Sequence, residues 1–111
     1  MDLDFFASFK DCVQKIDKIG NEYANGKADS WHKQEMTGSV KSSIMKSLGD
    51  IPVSRAEIEA KTHPDYLKHL EETREAIRLE LQLKARYEAQ KARFEGYRSL
   101  SSLEKSTRNV T

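Results

Sequence analysis

The sequence predicts an all-α fold, and three observations carry that prediction. From Pro64 onward alanine, glutamate, arginine, leucine and lysine dominate, all strong helix formers, and only Gly96 interrupts them. Between residues 5 and 23 the apolar side chains recur at alternating steps of four and three, the period of one helix face. Hydrophobic residues make up 37% of the chain and charged residues 33%, a balance that suits helical bundles and coiled coils better than the apolar core of an α/β enzyme. At 111 residues the chain fits a single domain, 1–111, with a thin core.

The first element is an amphipathic helix over residues 1–25. Asp2 or Asp4 can cap it, and Phe5, Phe9, Cys12, Ile16, Ile19 and Tyr23 form its heptad-like seam. Phe6 and Val13 widen the apolar face, and Gly20 or Gly26 can end the helix. Residues 26–62 then read as a flexible middle with short helices, because Gly, Ser, Thr, Asp and Asn are frequent there. Val40, Ile44 and Leu48 share a spacing for one face, with Ser39 as a possible cap and Gly49 as a stop. Ser54-Arg-Ala-Glu57 matches a capping box that starts a further short helical turn.

Thr62-His63-Pro64-Asp65 is the sharpest local signal, since proline and an acidic residue both favour a helix N-terminus. A long helix over residues 63–105 follows, with 106–111 as a frayed tail. Forty residues at about 1.5 Å each make a rod of roughly 60 Å. A partner helix of about twenty residues is too short to cover it. Its apolar residues fall into two registers, Tyr66, Leu70, Ile77 and Leu81, then Leu83, Tyr87, Phe94 and Tyr97. The alternation of Ile77, Leu79, Leu81 and Leu83 resembles a strand, but helix formers on both flanks reject that reading. Apolar surface spread around a helix instead points to self-association, with Ile77, Leu79, Leu81, Leu83, Tyr87 and Phe94 as the contact residues of a homo-oligomer.

Much chemistry is missing. His32, His63, His69 and Cys12 do not form a closely spaced ligand set, so no metal or other cofactor is expected. Gly38-Ser-Val-Lys41-Ser42 resembles the end of a phosphate-binding loop but lacks the upstream glycine and the Gly-Lys step. No nucleophile elbow is present, so an enzyme is not expected. One cysteine excludes an internal disulfide and fits a reducing compartment. The opening MDLDFFASFKDC carries aspartates where a signal peptide carries cations, and no apolar run reaches the length of a membrane span. A cytoplasmic location is the expectation.

The net charge of +1 gives no global attraction for polyanions, so nucleic-acid binding requires a local patch. One such patch lies between residues 84 and 98, where Lys84, Arg86, Lys91, Arg93 and Arg98 face only Glu88 and Glu95 and interleave with Tyr87, Phe94 and Tyr97. Aromatics beside cations are the usual means of holding a single strand. A second candidate surface combines Trp31 with Lys33, Lys41 and Lys46 among small hydroxyl residues suited to phosphate contacts. The first patch suits packed aromatics with a solvated cationic face better than it suits a strand, and the second equally suits an ordinary polar loop.

The run Trp31-His-Lys-Gln-Glu-Met-Thr-Gly-Ser-Val-Lys-Ser-Ser-Ile-Met-Lys-Ser-Leu48, followed by Arg86-Tyr-Glu-Ala-Gln-Lys-Ala-Arg-Phe-Glu95, resembles small phage-encoded proteins. In layout the chain is similar to recombination mediators of the UvsY type, over roughly residues 30 to 100. That resemblance implies a helical homo-oligomer in a bacterial host cell that helps load a recombinase onto single-stranded DNA coated by a single-strand-binding protein. It transfers no individual residue. The alternatives are an adaptor or inhibitor that binds a host protein, and an oligomeric helical scaffold.

Overall fold

The computed structural model describes residues 3–110, with side chains from 3 to 107. The described residues form an all-α fold of three helices: α1 (Leu3–Ser47), α2 (Val53–Thr62) and α3 (Pro64–Val110). They make two compact units. One comprises the chain up to Ala24 together with the chain from Gln82 onward; the other is Asn25–Leu81.

In the first unit the start of α1 runs antiparallel to the end of α3. Phe5 meets Tyr97 edge-on at 5.6 Å, and Phe9 stacks on Phe94 at 5.4 Å. Tyr23 tilts against Tyr87 at 5.8 Å. The seam predicted for α1 is the observed one, with Cys12 buried and Phe5, Phe9, Ile16, Ile19 and Tyr23 half-buried. Its counterpart on α3 is Leu83, Tyr87, Gln90, Phe94 and Tyr97, again at steps of four and three. Gly20 does not end the helix. A Cβ there would lie 3.0 Å from the Tyr87 ring, so glycine is what lets that ring approach the α1 backbone.

In the second unit α1 continues to Ser47, which corrects the flexible middle expected from residue 26. The burial period persists through Gly26, Ser30, Lys33, Thr37, Val40 and Ile44, although the residue types turn small and polar. The facing seam of α3 is equally polar: Tyr66, His69, Thr73, Ala76 and Glu80. Hydrogen bonds replace hydrophobic contrast in this layer. His69 Nε2 lies 3.0 Å from Thr37 Oγ1 and 3.3 Å from Thr73 Oγ1. The two threonine hydroxyls donate to the carbonyls of Lys33 and His69, at 3.3 and 2.7 Å. Each hydroxyl thus has a backbone carbonyl and the His69 ring nitrogen within reach. Ser30, fully buried, accepts from Gln34 Nε2 at 3.0 Å.

The turn after α1 is closed by Gly49 at φ 84°, the left-handed conformation expected of a helix stop. Ser39 lies inside α1 and caps nothing. The capping box at Ser54 is also not formed: α2 starts after Pro52 without a side-chain cap. Glu57 instead receives Lys41 Nζ at 3.2 Å and ties α2 to α1. Ala56 and Ala60 form the buried face of α2. The break at Thr62-His63-Pro64 falls where predicted. His63 supplies the cap of α3, its carbonyl accepting from Leu67 N at 3.0 Å and its Nδ1 from Asp65 N at 3.1 Å.

Because α1 spans 45 residues, α3 has a partner from its own chain in each unit. Its surface therefore does not depend on other copies for cover, contrary to the expectation from a twenty-residue partner helix. Residues 106–110 belong to α3 and are not a separate tail, and Thr111 lies outside the described residues.

Candidate nucleic-acid interface

The cations of the first unit sit at fixed positions relative to the buried seam. Lys84, Lys91, Arg98 and Lys105 recur every seventh residue, each following a seam residue (Leu83, Gln90, Tyr97 and Glu104) by one. A seven-residue repeat stays on one flank of a heptad seam, so these four make a ladder with a rise of about 10 Å per step. Arg86 and Arg93, also seven apart, occupy the opposite flank. Among the described residues Lys84, Arg86, Lys91 and Arg93 form no ion pair, while Arg98 pairs with Glu95 at 3.3 Å. The candidate patch at 84–98 is thus two flanks of one helix, not one surface.

The interleaved aromatics have a different role from the one their spacing suggests. Tyr87, Phe94 and Tyr97 are half-buried against Tyr23, Phe9 and Phe5. Lys91 Nζ lies 5.0 Å from the Tyr87 ring centre and the Arg98 guanidinium 6.0 Å from that of Phe94. Tyr87 and Phe94 thus each carry a cation, and all three rings spend part of their surface on the α1–α3 seam. The exposed ring of this unit is Phe6, 62% accessible, on the helix turn between Phe5 and Phe9.

On the flank of Arg86, Lys15, Lys18, Ile19, Glu22 and Gln90 join it around a surface cleft of about 360 Å³. Three cations face one carboxylate there, and Lys15 also pairs with Asp11 at 3.0 Å. Gln90 Oε1 is buried and lacks a hydrogen-bond partner among the described residues. Lys15 and Lys18 come beside Arg86 only through the antiparallel pairing of α1 with α3, whereas Gln90 is its neighbour four residues on along the same helix. Lys105 was legible as the next member of the seven-residue ladder.

Trp31, Lys33, Lys41 and Lys46 do not lie on a mobile segment but on the second half of α1. Trp31 is 65% exposed. Lys33 sits in the seam with its Nζ 3.3 Å from Asp29, and Lys41 bridges to Glu57. Two of the three lysines are thereby engaged within the chain, and only Lys46 faces outward without an ion pair among the described residues.

The residues expected to drive assembly also separate. Leu83, Tyr87 and Phe94 face α1 of the same chain, with Leu83 only 7% exposed. Leu79 and Leu81 are exposed, and Ile77 is half-buried.

Among the described residues, no helix is long and apolar enough to cross a membrane, and no three His, Cys, Asp or Glu side chains converge on a metal-sized site. No protein-family model, curated protein or solved structure matches this chain.

Proposed function

We propose that this protein is a nucleic-acid-binding accessory that holds a single strand along the first unit and presents it to a recombinase or annealing protein. The observation that supports the reading is the ladder Lys84, Lys91, Arg98 and Lys105, in which each cation is set by the heptad register. Stiff spacing of about 10 Å matches a flexible strand that contacts the ladder at intervals, and backbone contacts of this kind carry no sequence preference. Phe6 supplies one free ring for a base. The resemblance of the sequence layout to recombination mediators suggests the biological setting.

Binding of a labelled thirty-nucleotide strand, followed by anisotropy at increasing salt, tests this. About four phosphate contacts give a slope of log K against log salt near −2.8 for a single strand. Lys84→Glu with Lys91→Glu lowers affinity at least tenfold and flattens that slope. No salt-dependent binding at micromolar protein would end the proposal.

A second reading, a protein-binding adaptor, is favoured by the exposed apolar side chains Trp31, Ile58, Leu67 and Leu81 of the second unit. Recovery of one stoichiometric protein partner together with absence of strand binding would select it.

A further inference from the structure

We propose that α3 carries a self-complementary face, centred on Arg74, through which two copies of this chain pair antiparallel about a two-fold axis. This stands apart from the nucleic-acid reading, because the two surfaces share no residue.

Leu67, Leu70 and Leu81 are 51%, 40% and 57% exposed, and Ile77 is half-buried. The intrachain seam of this stretch is Tyr66, His69, Thr73, Ala76 and Glu80, so the leucines lie beside it and not in it. They recur at their own steps of three and four, interrupted only by Arg74. That is a second heptad stripe about 20 Å long, and its three leucines stay exposed among the described residues.

The order of residues names the occupant. Counted from Arg74, the stripe reads Leu67 at −7, Leu70 at −4, Ile77 at +3 and Leu81 at +7. It is nearly palindromic. An antiparallel two-fold sets Leu67 against Leu81 of the copy and Leu70 against Ile77, and it does so twice, as an isologous interface requires. The charges on the one free flank agree. Glu71 at −3 meets Arg78 at +4 of the copy, again twice, because an antiparallel pairing sets this flank against itself. In the single chain these side chains make only exposed local pairs, Arg74 with Glu71 at 4.0 Å and Arg78 with Glu75 at 3.2 Å. Such pairs exchange at little cost. Arg74 lies at the centre, and it is the residue that weakens the face.

The full chain in light scattering at rising concentration should give twice 12.7 kDa. Leu70→Glu with Leu81→Glu should give the monomer with unchanged helical circular dichroism, since both side chains are exposed. Glu71→Arg alone and Arg78→Glu alone should each weaken pairing roughly tenfold. Mixing those two variants should restore a one-to-one heterodimer, because each then supplies the charge the other lacks. Arg74→Leu should tighten pairing. A wild-type chain that stays monomeric, a double glutamate variant that still dimerises, or two charge variants that fail to pair when mixed would each overturn the proposal. Strand binding, measured on the same samples, reports separately on the first unit.

Discussion

At the scale of single residues, three positions show how a neighbouring side chain decides the sign of a substitution. Gly20 and Gly38 both lie inside α1, where glycine costs about 1 kcal/mol relative to alanine. A Cβ at Gly38 meets nothing within 4 Å, so Gly38→Ala is expected to raise stability by about 1 kcal/mol in urea denaturation. At Gly20 the same atom would press on the Tyr87 ring at 3.0 Å, and that ring is held between Tyr23 and Lys91. Gly20→Ala is therefore expected to lose stability, and equal gains at both sites would show that the ring is free to move. Gln90 is the third case. Its Oε1 is buried without a donor, and an unsatisfied buried polar atom costs on the order of 1–3 kcal/mol. Gln90→Leu keeps the volume and removes the atom, and a rise in the denaturation midpoint of the variant is expected.

At the scale of elements, the second unit is specified by hydrogen bonds where the first is specified by rings. His69 Nε2 lies within hydrogen-bond distance of Thr37 across the α1–α3 pairing and of Thr73 on its own helix, so His69→Ala removes that link from a seam with little apolar area to compensate. A loss of about 1–3 kcal/mol is expected by chemical denaturation, with Thr37→Ala costing less because that residue is only half-buried. The start of α3 makes a related point. His63→Ala removes the ring that accepts the Asp65 amide, and a cap of this kind contributes about 1 kcal/mol. Its loss should show as earlier amide exchange at Asp65 while the middle of α3 stays protected. The salt link from Lys41 to Glu57 is more than a third exposed on its acidic side, so either alanine variant should change stability by less than about 1 kcal/mol.

At the scale of the whole molecule, the chain separates two kinds of surface along α3. From Pro64 to Gln82 the acids Asp65, Glu71, Glu72, Glu75 and Glu80 exceed Lys68, Arg74 and Arg78, and Leu67, Leu70, Leu79 and Leu81 are exposed there. From Leu83 to Thr107 the cations Lys84, Arg86, Lys91, Arg93, Arg98 and Lys105 exceed Glu88, Glu95 and Glu104. On the proposed function, a strand would be drawn to the second stretch and repelled by the first. If copies pair through the leucines, each dimer offers two cation ladders, and avidity should strengthen strand binding beyond either alone. Leu70→Glu with Leu81→Glu should then lower affinity for a long strand more than for one too short to reach both ladders. Equal losses on both strands would mean that assembly does not contribute to binding.

By itself the sequence determined the helical class, the α1 seam from Phe5 to Tyr23, the stop at Gly49 and the break at Pro64, because each rests on local preference or on contrast between apolar and polar side chains. It also contained the seven-residue ladder of cations, readable as a bare interval. Only the tertiary structure decided that α1 runs on to Ser47. Gly26, Ser30, Lys33 and Thr37 have no hydrophobic contrast, and their periodic burial exists only because α3 sets His69, Thr73 and Ala76 opposite them. The same pairing decided which of two apolar registers on α3 is core. Leu83, Tyr87, Phe94 and Tyr97 find α1, whereas of the other register only Tyr66 joins the seam and Leu70 and Leu81 stay exposed; hydrophobicity read along one helix cannot say which of its faces a second helix will take.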